Sequence, residues 1–195
     1  MITAIGDVMR EAYKRNWITT RDGNCSLRRR DRDILYITPS AVRKNTIYPE
    51  SIVRIPIKNN ELTTEANASG ELEMHWLLQR DHKKTRCVLH LHPTYTIAAM
   101  MAGFDLNELA AKFPEIYRYT RVAHNVRVLP AVSPELAVET YKQMTIGGQL
   151  YYDIVGQAQH GVCAVAGNPW DAFEHVERLE HICQIALASG ERIGS

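Results

Sequence analysis

The amino-acid sequence predicts an α/β protein, in an α+β arrangement, whose helices sandwich a central sheet. Three observations lead to this fold class. Apolar residues recur at helical spacing at the start, middle and end of the chain, short β-rich runs lie between them, and most connecting links are short. The 195 residues are enough for one domain with a sizeable buried core, so we expect residues 1–195 to form a single domain.

The composition is typical of a globular protein, with 45% hydrophobic and 23% charged residues. Lys and Arg (23) almost balance Asp and Glu (22), so the chain has no overall basic field that would hold nucleic acid. The sequence contains no uncharged apolar stretch of about 18 residues and no export signal, so we expect no membrane association and a cytoplasmic location. Its four cysteines form no CxxC pair and are predicted to be buried free thiols.

The first helix and the first strands follow from simple periodicity. Apolar residues from Ile2 to Ala12 recur at spacings of three and four, which predicts an amphipathic helix that ends near Asn16. Three short β-rich runs follow and are predicted to pair in one antiparallel sheet. These runs are Cys25–Leu27, Ile34–Thr38 and Ser51–Ile57.

Two polar stretches separate these elements from the middle of the chain. The arginine-rich stretch 28–32 is interrupted by acidic residues, which favours a solvated turn between two strands over a nucleic-acid patch. Residues 58–69 (KNNELTTEANAS) are predicted to form a long loop. A second helix is predicted to begin at about Glu71, because apolar residues then recur on one helical face.

The second half begins with a compact apolar run, Cys87 to Leu91, that predicts a strand stopped by Pro93. Further elements follow from helical and β-rich patterns, with proline favoured in the first turn of a helix. They are a helix in TYTIAAMMAG, a helix at 105–112, a strand at 126–129, a helix at 134–144, a β-hairpin of 151–158 with 162–166, and a final helix at 169–188.

The phrase VLHLHP predicts a metal site. Side chains two residues apart on a strand point the same way and lie about 6 to 7 Å apart, so His90 and His92 can hold one cation. A catalytic zinc ion has three protein ligands and one open position. We expect His160 to be the third ligand, because Gly161 beside it permits a sharp turn and leaves space.

The remaining histidines lie in helical or polar surroundings without partners at ligand spacing, so they are not included in this site. They are His75, His82, His124, His175 and His181. For the HLH pair alone, the competing interpretation is two half-buried histidines that are merely hydrogen-bonded on a strand. The motifs around the pair decide in favour of a metal site.

Several motifs in one order carry a resemblance to a known family. They are GNCSLR (23–28), ITPS (37–40), SGELEMH (69–75), VLHLHP (88–93), QHGV (159–162) and the helix from Asp171. Together they resemble the class II aldolase/adducin family over roughly residues 5–188. The resemblance implies a class II aldolase-like central, mainly antiparallel sheet between helical layers, assembled as a homotetramer with active sites at subunit interfaces.

The resemblance also implies residue roles. Glu71 matches the family's catalytic glutamate, a general acid/base beside a divalent metal, with Zn²⁺ the first choice. The family's phosphate-binding loops are matched by Asn24, Ser40, Ser69 and Gly70. Taken alone, Glu71 would be a first-turn glutamate favoured by the helix dipole, and the four small polar residues would be ordinary turn chemistry.

Relatives carry a tyrosine that reaches a neighbouring subunit's site and protonates the leaving aldehyde oxygen. Tyr117, Arg118, Tyr119 and Arg121 lie in the matching region, and the sequence does not choose among them; we take Tyr119 as the candidate. Two departures from the family pattern stand in the phosphate loops. Ala41 replaces a frequent glycine and Gly70 a frequent second serine, so phosphate affinity or head-group preference is expected to differ.

The function that the resemblance implies is metal-dependent, reversible cleavage of a ketose 1-phosphate, of the L-fuculose 1-phosphate type, to dihydroxyacetone phosphate and an aldehyde. A sugar-phosphate dehydratase, decarboxylase or 4-epimerase would use the same metal site. Glu71 argues against the epimerase branch, which usually has Asp at this position. A non-catalytic adducin-like binding module is the alternative of a different class.

Overall fold

A computed structural model of the chain describes residues 2–63 and 66–190. Its helices are α1 (Thr3–Lys14), α2 (Leu72–Arg80), α3 (Thr94–Met101), α4 (Leu106–Ala111), α5 (Pro134–Met144) and α6 (Pro169–Ala188). Its strands are β1 (Asn24–Arg29), β2 (Ile34–Ile37), β3 (Val53–Lys58), β4 (Glu61–Leu62), β5 (Cys87–Leu91), β6 (Thr145–Ile146), β7 (Gln149–Leu150), β8 (Ile154–Gln157) and β9 (Gly161–Ala166).

Seven strands form the central sheet in the order β4-β3-β2-β1-β5-β9-β8, and all their pairings are antiparallel. Alternate residues of β5 face opposite layers, as the twofold repeat of a strand requires. Leu89 packs in a core with α1 and α6, whereas Val88 packs with Met74 of α2 and Leu136 of α5. The predicted sheet between helical layers is confirmed.

The register of the sheet decides which polar side chains share a face. Asn24 of β1 lies opposite His90 of β5, and His90 lies opposite Cys163 of β9. Because α2 covers this face, its N-terminal residues lie above the end of β5. The sheet thereby brings together polar residues that are far apart in the chain.

The strand predicted at 126–129 is wrong. Only isolated parallel bridges join this region to β8, at Val122 and Val126. Between them the chain turns aside, because the backbone N–H of Asn125 donates to the carboxylate of Asp105 and the Asn125 side chain accepts from the N–H of Leu106. These bonds interrupt the ladder between the two bridges, and pairing does not continue after Val126 because β8 ends at Gln157.

Two short hairpins also depart from the sequence prediction. Within the predicted loop at 58–69, β3 pairs with β4 through a turn at Asn59 and Asn60, both with positive φ. A second hairpin joins β6 and β7 through Gly147 and Gly148, again with positive φ. Two consecutive positive-φ residues are the signature of a type I′ turn, which asparagine and glycine favour. Thr64 and Glu65, in the predicted loop, lie outside the described residues.

The arginine-rich stretch is less solvated than predicted. Arg28 is buried, donates to the carbonyl oxygens of Gln79 and Arg80 at the end of α2, and stacks on the ring of Trp76. It therefore satisfies carbonyls that the helix end leaves without partners. The four cysteines are buried and free, as predicted. Among the helices of residues 2–63 and 66–190, none is both long and apolar enough to cross a bilayer.

Candidate metal centre and adjoining cleft

Three histidines converge at one end of the sheet. His90 and His92 lie at the end of β5, and His160 lies in the turn between β8 and β9. Their ligand nitrogens all lie within 4.8 Å of one another, and the ring centroids are 4.7 to 5.0 Å apart. Bonds of about 2.0 to 2.1 Å to one tetrahedral zinc ion would place these nitrogens roughly 3.3 Å apart. Small side-chain adjustments therefore suffice, and the donor set fits a divalent metal.

Hydrogen bonding and burial prepare the histidines for ligation. Nδ1 of His90 lies 3.0 Å from the carbonyl oxygen of Val162, so it carries the proton and leaves Nε2 as a free donor to a metal. Burial lowers the pKa of His90 and of His92 to about 3, and neighbouring imidazoles add to the effect: His160 acts on His90, and both His90 and His160 act on His92. At neutral pH both rings are therefore neutral, which is the form that binds metal.

Gly161 is required for this convergence. A Cβ at this position would lie 2.7 Å from Cδ2 of His92 and would also press on the carbonyl oxygen of Leu91. Because real Cβ atoms do not approach so closely, only glycine lets β9 begin beside the two β5 histidines. The expectation that Gly161 leaves space at the site is met.

Glu71 faces the three histidines from the start of α2. Its side chain is only 7% exposed, with Oε2 3.4 Å from Nε2 of His90 and Oε1 4.0 Å from Nε2 of His160. Oε1 is buried and has no hydrogen-bond partner among the described residues. A buried carboxylate oxygen without a partner is costly, so its position beside the imidazoles provides a place for a cation or a substrate proton.

A buried hydrogen-bonded chain holds this carboxylate in place. The amide nitrogen Nδ2 of Asn24 donates to Oε2 of Glu71 at 2.7 Å, and Nε2 of His75 contacts Oδ1 of the same Asn24. Nδ1 of His75 lies 2.7 Å from Oγ of Ser26. Burial lowers the pKa of His75 to about 3, so the ring is neutral, with Nε2–H donating to Oδ1 of Asn24. The Ser26 hydroxyl lies between two acceptors, Nδ1 of His75 and Oε1 of Gln79.

Sequence reasoning missed His75, because it considered this residue only as a metal ligand. Two signals could have found it. His75 follows Glu71 by four residues on a helix, so both side chains share one face. Asn24 and Ser26 alternate on β1, so they also share a face. The SGELEMH motif contained His75 from the start.

The predicted phosphate loops lie side by side. The N–H of Ser40 donates to the carbonyl of Asn67, and the N–H of Ser69 donates to the carbonyl of Thr38. The hydroxyl of Ser69 in turn accepts from the N–H of Glu71. These bonds join the two loops into one wall of a cleft of about 300 Å³. The cleft is lined by eight predicted site residues: Asn24, Ser40, Ser69, Gly70, Glu71, His90, His92 and His160.

Tyr119 is the predicted site residue that the structure does not bring to this cleft. It lies after a short 3₁₀ turn, is 52% exposed, and stacks against Arg118 and Arg178. It lines another cleft together with Asp153. Within one chain Tyr119 therefore does not reach the histidines, and its role at a neighbouring subunit's site stays a prediction.

Comparisons with known proteins show what this chain is similar to. A sequence profile described as "Class II Aldolase and Adducin N-terminal domain" matches residues 3–187. A 5-deoxy-D-ribulose 1-phosphate aldolase of Bacillus thuringiensis serovar kurstaki is 25% identical over 163 residues, which cover 84% of this chain and 73% of that protein. A 3-oxo-tetronate 4-phosphate decarboxylase of Haemophilus influenzae is 25% identical over 189 residues, which cover 94% of this chain and 86% of that protein.

Solved structures show the same fold. An L-fuculose 1-phosphate aldolase superimposes with a TM-score of 0.78 at 23% sequence identity, covering 97% of this chain and 85% of that one. At this level of identity the likeness establishes the architecture.

Proposed function

The chain belongs to the class II aldolase and adducin family, and from that premise we propose that it is a divalent-metal lyase acting on a ketose 1-phosphate. The reaction is reversible cleavage of a sugar of the L-fuculose 1-phosphate type into dihydroxyacetone phosphate and an aldehyde. One observation carries the proposal: the Glu71 carboxylate lies 3.4 Å from the nearest imidazole of the three-histidine cluster, inside one cleft. A base and a cation site at that distance can act on the same substrate carbon.

His90, His92 and His160 would hold the metal, and Zn²⁺ is the first choice because three neutral imidazoles with an open position are typical of catalytic zinc. When bound, the cation would serve as a Lewis acid that stabilises negative charge on the substrate's carbonyl oxygen. The protein's contribution is to keep the rings of His90 and His92 neutral and to orient all three rings towards one point.

Glu71 would move the proton. In the cleavage direction its carboxylate receives a proton from the substrate and returns it to the carbon of dihydroxyacetone phosphate. Oε2 is fixed by Asn24, whereas Oε1 has no partner among the described residues and is the oxygen available to substrate. A carboxylate that is hydrogen-bonded through one oxygen and free at the other is held in orientation and can still accept a proton from the substrate.

The substrate's phosphate would lie against the joined loops that carry Ser40, Ser69 and Gly70. In contrast, the amide of Asn24 already bonds Glu71 with one end and His75 with the other. We therefore assign Asn24 to holding Glu71 in the absence of substrate, and any bond to phosphate would require it to exchange a partner.

Assembly is a further part of the proposal. We propose a homotetramer in which Tyr119 enters the cleft of a neighbouring subunit and hydrogen-bonds the oxygen that becomes the aldehyde, so that the hydroxyl proton passes through Tyr119 to Glu71 in cleavage and returns by the same route in condensation. Its exposure and its distance from its own chain's histidines support that arrangement. A non-catalytic adducin-like role is disfavoured, because the histidine cluster and the buried Glu71 would have no use in it.

A decarboxylase is the second candidate, because curated relatives with that activity match 92 to 94% of this chain. A 3-oxo acid phosphate would place its carbonyl at the same cation and lose carbon dioxide instead of an aldehyde. The phosphate and metal sites would be unchanged.

The proposal is tested by metal quantification of the purified protein, followed by product analysis with a panel of ketose 1-phosphates and 3-oxo acid phosphates. Release of dihydroxyacetone phosphate that is lost with a chelator and restored with zinc is the expected result. Release of carbon dioxide from the acids alone would replace the aldolase assignment with the second candidate. A protein without bound metal and without either activity would contradict both.

A further inference from the structure

A buried lysine lines the same cleft and has no role in the function proposed so far. Lys44 begins a 3₁₀ turn just after the loop of Ser40, and only 2% of its surface is exposed. Its ammonium donates to the carbonyl oxygens of Arg21 and Val42, each at 3.2 Å. An ammonium has three N–H donors, so contacts with described residues use two of them.

No carboxylate of the described residues lies within 4.0 Å of this ammonium. Burial lowers the pKa of Lys44, and the charge of Asp22 acts in the opposite direction with a smaller effect. A buried charge without a bonded counterion is unfavourable, so its presence needs a reason. Arg21, which also lines the cleft, adds a second positive charge nearby rather than a negative one.

The neighbouring loops offer a phosphate dianion neutral groups but no positive charge. The backbone N–H groups of Ser40 and Ser69 already donate to carbonyl oxygens in the other loop, and the N–H of Glu71 donates to the Ser69 hydroxyl. The serine hydroxyls are neutral. Charge neutralisation must therefore come from a cationic side chain, and Lys44 is the buried one on this wall.

We propose that Lys44 is a substrate-binding residue that neutralises the phosphate of the substrate and so makes the cleft selective for phosphorylated sugars. This inference rests on the proposed function for the identity of the substrate, but the anion site can be tested without it. The competing interpretation is a structural role, in which Lys44 only stabilises the loop by donating to the carbonyl oxygens of Arg21 and Val42.

The experiment titrates inorganic phosphate into the protein by calorimetry, both metal-free and zinc-loaded, so that binding to the metal is separated from binding to the loop. We expect Lys44→Gln to weaken phosphate binding about 10- to 100-fold in both forms, as loss of a charged hydrogen bond requires. Lys44→Arg should retain most of the affinity. Lys83→Gln, at an exposed lysine outside this cleft, is the matched control and should bind as the wild type does.

Activity gives an independent readout. With a ketose 1-phosphate, Lys44→Gln should raise KM by a similar factor with a much smaller change in kcat, because the residue binds the phosphate rather than the reacting carbon. With the unphosphorylated sugar the variant and the wild type should be equal. A purely structural role would instead change both substrates alike.

The two proposals fail in different ways. If the wild type binds no inorganic phosphate, or Lys44→Gln binds it as tightly, the inference about Lys44 is overturned whatever the reaction is. If phosphate binding depends on Lys44 but no sugar phosphate is cleaved, the proposed function is overturned and the anion site stands. Should Lys44→Gln not fold, the side-chain Nζ–H signal of Lys44 in the wild type decides: it must shift with phosphate, and an unchanged signal overturns the inference.

Discussion

Gly70 and Val132 meet across the wall of the cleft beside Glu71: a Cβ on Gly70 would lie 2.8 Å from Cγ1 of Val132. Val132 has a φ of +63°, a left-handed conformation that β-branched residues rarely adopt. Such a conformation costs on the order of 1 to 3 kcal/mol, so surrounding contacts must hold it. Gly70, which stands where the family often has a second serine, therefore leaves a space, and the strained Val132 fills it.

Gly70→Ala should therefore displace Val132 and destabilise the protein by about 1 to 3 kcal/mol, as overpacking does. It should also lower kcat/KM, since the wall carries Glu71. Val132→Gly removes both the clash and the strain, so the double variant should regain most of the lost stability. Urea unfolding of the wild type, both single variants and the double variant measures the coupling. Additive effects would show that the two positions are independent.

Glu71→Gln should leave metal content unchanged but slow the exchange of the carbon-bound proton of dihydroxyacetone phosphate by about 10²- to 10⁴-fold. The glutamine side chain has the same size and can still accept from the amide of Asn24, but it cannot take up the proton. Proton exchange followed by NMR in deuterated water is the measurement. Glu73→Gln, at an exposed residue of the same helix, is the control. Exchange at the wild-type rate in Glu71→Gln would remove Glu71 from its assigned role.

His75→Gln tests whether the buried chain positions Glu71. We expect kcat to fall about 10- to 100-fold, the usual effect of losing a residue that orients an active-site group, while metal content stays the same. A shifted pH profile of kcat/KM should accompany the fall, because the carboxylate environment changes. His82→Gln is the control: this buried histidine packs on the ring of Tyr141, outside the metal cleft and the cleft of Tyr119. Equal kinetics and pH profiles in the two variants would reduce His75 to a packing residue.

Much of the fold follows from local signals. The bounds of α5 and α6 were predicted from helical patterns that begin at a proline. In the structure, Ser133 and Asn168 cap these helices by accepting from their first free N–H groups. The β5 strand was predicted because it is continuously apolar and Pro93 stops it. In contrast, the local β pattern at 126–129 predicted a strand that does not form, because the chain before it is diverted at Asn125 by Asp105, twenty residues earlier, and the partner strand β8 ends opposite Val126.

Local signals also predicted part of the candidate site. His90 and His92 share a face by strand periodicity alone, whereas the convergence of His160 depends on the pairing of β9 with β5. The bond from Asn24 to Glu71 depends on the register that places Asn24 opposite His90. Periodicity does not determine register between strands that are distant in sequence, so the bond from Asn24 to Glu71 became visible only in three dimensions. His160 was expected from its turn beside Gly161 and not from periodicity.

Removal of one histidine should remove the metal. His92→Ala leaves two ligands, so we expect loss of bound zinc at micromolar concentrations and loss of the stabilisation that a ligand of the folded state provides. Zinc should raise the melting temperature of the wild type and leave that of His92→Ala unchanged. His124→Ala, at an exposed histidine that contacts Asp105, is the control and should respond as the wild type does. A zinc-dependent rise in His92→Ala would place the metal elsewhere.

The buried His75 also predicts how stability changes with pH in the metal-free protein. Its pKa is about 3 in the folded chain, because burial disfavours the charged ring, and about 6.5 when unfolded. At pH values between 3 and 6.5, His75 is therefore protonated in the unfolded chain but not in the folded chain. The free energy of unfolding consequently falls as pH drops from 6.5 towards 3.

One such proton contributes a slope of about 1.4 kcal/mol per pH unit, and His75→Gln should remove it while His90 and His92 keep theirs. Urea unfolding between pH 6.5 and 4 in the presence of a chelator measures the difference, with exposed His181→Gln as the control. If wild type and His75→Gln lose stability with the same slope, His75 is protonated in the folded state. Both ring nitrogens would then donate, and the amide of Asn24 would lie between a positively charged imidazole and the Glu71 carboxylate.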